Sequence, residues 1–209
     1  MGITIHYGGK LKSAELIDEV CKELTDISRD MEWDYEVLDC DFDKPNTSKL
    51  VTEEEKHKIT GNLPLKGIHI AIHQDSEPLT FYFDSKGELR ALLSMVFPDI
   101  EKEDKTHFTS VKTQFAPIDV HITIIKLLKY LKKKYFKELK VFDEAGYWET
   151  GDENFLKEKM KFLSDRIDAV EKILSESEAE LNECKSVEEI VEKLEKILKA
   201  NFNRNKPHV

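Results

Sequence analysis

Five side chains of this sequence have the chemistry of acid–base catalysis. His6, His69 and Lys112 occur in segments that alternate apolar and polar residues, whereas Glu144 and Glu149 lie in one loop. If the alternating segments are neighbouring strands, these groups form a candidate catalytic cluster, because imidazoles and carboxylates can exchange protons at neutral pH. The same polar face would also carry Thr4, His73, Tyr82, Ser110 and Gln114. Such a face either binds a ligand or is simply solvated.

The spacing His69-x-x-x-His73 binds zinc when it lies on a helix. Here Ile68, Ile70 and Ile72 alternate with polar or small residues, which predicts a strand, and four strand residues advance the chain by about 13 Å. Two imidazoles that far apart cannot easily share an ion. The three cysteines are widely spaced and lack a C-x-x-C pair, so we predict neither a metal site nor a disulfide framework.

The segment from Asp143 to Asp152 places two aromatic rings, Tyr147 and Trp148, in an acidic, glycine-flanked loop. As a recognition loop it would bind a cationic or stacked ligand, with Tyr82 and His73 as further ligand-binding candidates. In the structural alternative, Tyr147 and Trp148 wedge between the sheet and the C-terminal helices. Tyr7-Gly8-Gly9-Lys10 lacks the spacing of nucleotide-binding loops, so no cofactor is predicted.

Hydrophobic periodicity predicts the elements that position these residues. Alternation predicts strands at residues 3–7, 35–40, 67–73, 79–83, 107–115 and 139–142, and three- and four-residue spacing predicts helices from Ser13 and from Pro117. Residues 89–96 fit a short helix or a further strand. Residues 41–66 have little periodicity and read as a long loop with one helical turn near residue 54.

Two further amphipathic segments begin at the capping boxes Thr150-x-x-Glu153 and Ser186-x-x-Glu189. Their apolar stripes predict an antiparallel helical hairpin, and hairpins with exposed seams also form homodimers, here through residues 153–200. We therefore predict an α+β domain over residues 1–150, a helical hairpin over 151–202 and a flexible tail over 203–209. The sheet is expected to be mostly antiparallel, with five or six strands and two helices on one face.

Composition narrows the classes of partner that this chain is expected to bind. A net charge of −10 argues against a nucleic-acid or anionic-membrane partner, and no stretch approaches the ~20 apolar residues that span a bilayer. A cytoplasmic location is expected. The lysines between residues 126 and 140 either complement the end of a helix dipole or form a binding patch.

Two function classes stay open on the sequence. The first is a binding protein that contacts a protein partner or small ligand through the acidic–aromatic loop and the polar sheet face. The second is a small hydrolase or transferase that uses His6, His69, Glu144, Glu149 and Lys112, with or without a divalent ion. An enzyme needs these side chains within hydrogen-bond reach in a concave site, whereas a binding surface can leave them spread on an open face.

Overall fold

The computed structural model of the chain describes residues 3–53, 56–96, 108–177 and 186–204. Its strands are β1 (Thr4–Leu11), β2 (Asp34–Asp39), β3 (Lys49–Glu53), β4 (Lys56–Thr60), β5 (Lys66–Ala71), β6 (Leu79–Phe83), β7 (Thr109–Lys112) and β8 (Phe136–Asp143). Its helices are α1 (Ile17–Asp30), α2 (Leu92–Val96), α3 (Ile118–Lys134), α4 (Tyr147–Thr150), α5 (Glu153–Glu176) and α6 (Val187–Arg204). The mixed helix and strand content confirms the α+β class.

The strands divide among three antiparallel sheets, so the predicted single sheet of five or six strands is not confirmed. The orders are β7–β1–β8 and β2–β5–β6, and β3 pairs with β4 in a third sheet. The first two sheets meet at Tyr7, whose buried hydroxyl donates to the Thr80 carbonyl (2.8 Å) and accepts from the Thr80 N–H (3.1 Å). Short bridges from residues 88 and 89 to Lys10 and Phe83 also join them.

Apolar side chains from both sheets and two helices form the core. Tyr7, Ile68, Ile70, Phe81 and Phe83 are fully buried. Helix α1 packs on β2 and β5 and contributes the buried residues Val20 and Leu24. Helix α3 packs on β8 and contributes the buried residues Ile124 and Leu128. The apolar stripes that predicted α1 and α3 are therefore the faces that these helices bury.

Residues 41–66 contain a β-hairpin where we had predicted a loop with a helical turn. Leu50, Val51 and Thr52 pair with Ile59, Lys58 and His57. Apolar and β-branched side chains favour an extended backbone, and the short runs on either side of the turn were too brief to show a period. Residues 54 and 55, near which the helical turn was predicted, lie outside the described residues.

β1 also continues through Gly8 and Gly9, which we had expected to end it. A Cβ on Gly9 would lie 2.2 Å from the Glu138 carbonyl oxygen, so glycine is needed for β8 to approach β1. Lys10 then pairs with Glu88 at 3.2 Å. The glycines thus serve strand packing in this structure.

The chain separates into two compact units, residues 1–157 and 158–209. The second unit contains most of α5 and all of α6, two segments that periodicity had predicted to be helical. Ser186 caps α6 by accepting the Glu189 N–H (3.2 Å). At the start of α5, Asp152 rather than Thr150 accepts the first free N–H groups, from Asn154 and Phe155. Within the described residues, no helix is long and apolar enough to cross a membrane.

Candidate functional site

The open face of the sheet β7–β1–β8 brings several of the predicted residues together. In the antiparallel register Thr4 is opposite Lys112, and His6 is opposite both Ser110 and Phe142. Directly opposed residues point to the same side of a sheet, so these five side chains share one face. Ile5 and Tyr7 point to the other side and are buried. We call the outward side, together with Glu144 and Phe115, the sheet face.

Glu144 is held beside His6 by the backbone of β1. One carboxylate oxygen accepts the Thr4 N–H at 2.9 Å, and the other lies 3.8 Å from His6 Nε2. Both side chains are half-buried, and the contact is an ion pair only when the imidazole carries a proton. His6 and Glu144 are therefore the one pair of catalytic candidates that the structure places in contact among the described residues.

Phe142 provides the large apolar group of the sheet face. Its side chain is 60% exposed, and its ring centroid lies 6.0 Å from that of His6. A strand residue at this position contributes little to the core, because its ring is on the solvent side. An exposed aromatic ring surrounded by polar groups is typical of a protein contact surface.

A shallow groove lies at the β7 end of the sheet face. Lys112 and Phe115 line it together with the loop Gln74–Glu77, and its volume is about 430 Å³. Glu77 ties the loop to β7, since its N–H donates to the Lys112 carbonyl (2.9 Å) and its carboxylate accepts the Lys112 N–H (2.8 Å). The Lys112 ammonium lies 5.3 Å from the centre of the Phe115 ring, which is 62% exposed.

His73 shapes the same loop. Its Nδ1 accepts the Asp75 N–H at 3.1 Å and lies 3.7 Å from the Asp75 carboxylate. Its carbonyl accepts hydrogen bonds from Ser76. These contacts curl the chain directly after β5 and position the wall of the groove.

His69 and Tyr82 belong to the second sheet, β2–β5–β6. His69 is opposite Glu36 and Thr80, and within the described residues no contact joins it to His6 or Glu144. Tyr82 is buried in a cluster with Leu63 and Leu65, and burial, with the nearby Glu36 carboxylate, raises its pKa to about 12. Tyr82 is thus a packing residue in this structure.

The loop after β8 turns its aromatic side chains toward α3. Tyr147 is buried with its ring edge-on to His121, and the two centroids are 6.3 Å apart. Trp148 is partly exposed, and the ammonium groups of Lys129 and Lys132 lie 5.4 and 5.3 Å from its ring centre. Both rings anchor the loop on α3, whereas Glu149 is exposed.

A buried polar network, which we had not predicted from the sequence, lies beneath this loop. His121 Nδ1 lies 2.8 Å from the Thr113 hydroxyl, and His121 Nε2 lies 3.3 Å from the Asp143 carboxylate. That carboxylate also accepts the N–H groups of Ala145 (2.8 Å) and Trp148 (2.9 Å). The sequence did contain a signal for this network: His121 lies in a helix that is apolar on nearly every side. A buried imidazole needs polar partners, so this position predicts a buried polar contact.

The network has a structural role, although its hydroxyl, imidazole and carboxylate follow one another in the same order as in a catalytic triad. Thr113, His121 and Asp143 are all buried, so a substrate cannot reach the hydroxyl. Burial raises the pKa of Asp143, but the hydrogen bonds and the charge of His121, with the two backbone N–H groups, outweigh it and hold that pKa below its usual value. The carboxylate is therefore ionised and locks the Asp143–Trp148 turn onto α3.

No three or more His, Cys, Asp or Glu side chains in the described ranges are arranged to hold a metal ion. The chain matches no protein-family model, no curated protein and no solved structure.

Proposed function

We propose that this chain is a binding protein and that its sheet face contacts a protein partner. The observation that carries this proposal is Phe142, a largely exposed aromatic ring beside His6 on an open sheet face that also carries Lys112 and Glu144. Interfaces commonly place an aromatic anchor inside a polar rim, and such anchors contribute most of the binding free energy.

The partner that fits this face offers an apolar group to Phe142 and Phe115 and a mixture of charges to Lys112 and Glu144. The groove beside Gln74–Glu77 gives the face a concave end that could receive one side chain. The acidic half of the loop after β8 contributes Glu144, which the Thr4 N–H holds in place, so this carboxylate is positioned before any partner binds.

Open geometry favours binding over the hydrolase or transferase alternative. That alternative needs His69, Glu149 and Lys112 close to the His6–Glu144 pair in a concave site. In the described residues His69 lies in another sheet and Glu149 projects from α4 into solvent. A surface that spreads these groups over a sheet is what a binding protein requires.

Site-specific photo-crosslinking tests the proposal. A photoreactive phenylalanine replaces Phe142 in one variant and Met31 in a control, because Met31 is also exposed (53%) but lies at the end of α1, outside the sheet face. In extract of the native cell, we expect a protein adduct from position 142 that is absent from position 31.

The captured protein is then purified and its affinity measured by calorimetry. We expect Phe142→Ser to weaken binding at least tenfold, as loss of an aromatic anchor does, and Met31→Ser to leave it within twofold. Equal adducts at both positions, or an unchanged affinity for Phe142→Ser, would reject the sheet face as the contact surface.

A further inference from the structure

The second half of α3 and the start of β8 concentrate positive charge in an acidic chain. Residues 126–140 contain seven lysines and one glutamate, whereas the whole chain has a net charge of −10. The lysines are Lys126, Lys129, Lys132, Lys133, Lys134, Lys137 and Lys140. All seven are exposed.

Two of these lysines are neutralised within the fold. Lys134 pairs with Glu23 at 2.8 Å, and Lys140 pairs with Glu138 at 3.3 Å. The other five make no ion pair with a carboxylate of the described residues. Lys132 and Lys133 lie in the last turn of α3, where their charges interact favourably with the helix dipole. This interaction falls off within one turn, so it does not explain the presence of charges at Lys126 and Lys129.

Trp148 lies against two of these lysines, and a hydrogen bond fixes its backbone. Its backbone N–H donates to the buried Asp143 carboxylate at 2.9 Å, and its ring lies between 5 and 6 Å from the ammonium groups of Lys129 and Lys132. An indole face attracts cations, so the ring orients the two lysine side chains and reduces the entropy that a ligand must remove. The surface is thus positioned before it binds anything.

We propose that Lys126, Lys129, Lys132, Lys133, Lys137 and Trp148 form a docking surface for an acidic polypeptide segment of a partner protein. We call it the lysine–tryptophan surface. Charge complementarity identifies the occupant. Its carboxylates pair with the five lysines that have no ion pair among the described residues, and the indole contacts the apolar part of the segment. The helical part from Lys126 to Lys133 is only about 10 Å long, which suits a short segment.

A nucleic acid fits this surface less well. A duplex carries a phosphate charge about every 1.7 Å and extends well beyond so small a patch, so the surrounding negative charge would repel it. The lysine–tryptophan surface shares no residue with the sheet face. The two surfaces can therefore be tested, and can fail, separately.

Fluorescence anisotropy of a labelled, glutamate-rich peptide of about twelve residues tests this docking site on the full-length chain. We expect saturable binding that weakens as salt is raised, because the attraction is between exposed charges. Lys129→Glu with Lys132→Glu should weaken it at least tenfold. The control is Lys49→Glu with Lys86→Glu, which changes the net charge equally at exposed lysines of β3 and the β6 turn, and it should stay within twofold of the wild type.

A second readout follows the indole itself. Trp33→Phe leaves Trp148 as the sole tryptophan, and its emission should shift on titration with the peptide in parallel with the anisotropy. Because the two charge reversals lie on a helix, circular dichroism checks their fold, and Lys129→Gln with Lys132→Gln repeats the test with neutral side chains.

Three results would overturn the docking site. The first is that the peptide does not bind at low salt. The second is that the Lys129/Lys132 and Lys49/Lys86 charge reversals weaken its binding equally. The third is tighter binding of a labelled oligonucleotide with the same number of charges, which would assign the surface to nucleic acid.

Discussion

At Asp143, three hydrogen-bond donors converge on one buried carboxylate. They are the Ala145 and Trp148 N–H groups and the His121 ring. Removing a buried acceptor leaves its donors unsatisfied, and each such donor has a cost of about 1–3 kcal/mol. The residue thus determines the conformation of the whole turn that carries Tyr147 and Trp148.

We expect Asp143→Ala to lower the free energy of unfolding by about 3 kcal/mol, measured by urea denaturation. Asp30→Ala is the matched control, because Asp30 is exposed at the end of α1, and its effect should stay within about 0.5 kcal/mol. A loss below 1 kcal/mol for Asp143→Ala would mean that the network contributes little to stability.

The lowered pKa of Asp143 also predicts a pH dependence. A carboxyl whose folded pKa lies below its unfolded value, about 3.9, stabilises the fold above that value and loses this contribution as the pH falls through the folded pKa. Stability measured between pH 6 and pH 3 should therefore fall less steeply in Asp143→Asn than in the wild type. Parallel curves would contradict the ionised state that we assign to Asp143.

Residue chemistry was partly predictable from the sequence. Alternation in β1 and β7 correctly placed Thr4, His6, Ser110 and Lys112 on one face, because strand side chains alternate whatever the strand pairs with. Which other strands join that face depends on long-range pairing, which a local pattern does not contain. The predicted polar face therefore combined residues that the structure places in two different sheets.

At the scale of elements, Glu23 ties α1 to the end of α3. Its carboxylate accepts hydrogen bonds from Lys134 Nζ at 2.8 and 2.9 Å and from the hydroxyls of Tyr130 and Tyr135. Partial burial raises the pKa of Glu23, but these hydrogen bonds outweigh it and hold the pKa below its usual value. Burial and the Glu23 carboxylate raise the pKa of Tyr135 to about 12.

We expect Glu23→Gln to lower the free energy of unfolding by about 1–2 kcal/mol, because an amide accepts these hydrogen bonds less strongly than a carboxylate. Chemical denaturation measures the loss. Glu32→Gln, an exposed position between α1 and β2, should change stability by less than about 0.5 kcal/mol. If the two variants are equally stable, the α1–α3 contact is only a solvated ion pair.

The pairing of β5 with β6 depends on the absence of a side chain at residue 67. A Cβ at Gly67 would lie 1.9 Å from the Phe81 carbonyl oxygen and 2.7 Å from the Tyr82 Cα. Gly67→Ala should therefore force the strands apart and cost about 3 kcal/mol or more in thermal or urea unfolding.

Gly151→Ala separates this steric effect from backbone strain. Gly151 has φ +63° but no atom within 4 Å of the added methyl group, so the left-handed conformation alone should cost about 1 kcal/mol. Equal losses at the two positions would contradict the close approach of β5 and β6.

Most helices and the longer strands could be predicted from periodicity, because each buries a continuous stripe or face. The β3–β4 hairpin could not, since two five-residue strands with charged ends show too few repeats. The division into separate sheets could not be predicted either. It depends on contacts between residues that are far apart in the chain, such as the Tyr7 hydroxyl with the Thr80 carbonyl.

Charge is unevenly distributed along the chain. Residues 15–43 contain twelve acidic and two basic residues, in contrast to the lysines between 126 and 140. The two segments meet where Glu23 pairs with Lys134 at 2.8 Å, so both signs occur in this part of the fold. The exposed lysines attract an acidic partner during encounter and make its association rate sensitive to salt. The sheet face, which mixes both signs, would then supply the specific contacts.

We predict that the second unit self-associates. Phe162 of α5 and Val191 of α6 are exposed apolar residues on helices that we predicted to pair between two copies. We expect sedimentation velocity to show a concentration-dependent dimer that Phe162→Glu with Val191→Glu abolishes. Phe115→Glu, which makes the same kind of change at an exposed phenylalanine of the first unit, should leave the dimer intact. A strictly monomeric wild type would exclude this dimer.

Chemical-shift mapping of the chain with the protein captured at position 142 tests the central claim, that the sheet face is the contact surface. We expect the largest amide shifts on adding the purified partner to fall within residues 4–10, 74–77, 109–115 and 138–144, and Phe142→Ser to reduce them. Shifts confined to α1 or to the helices of the second unit, with none on β1 or β7, would contradict this claim.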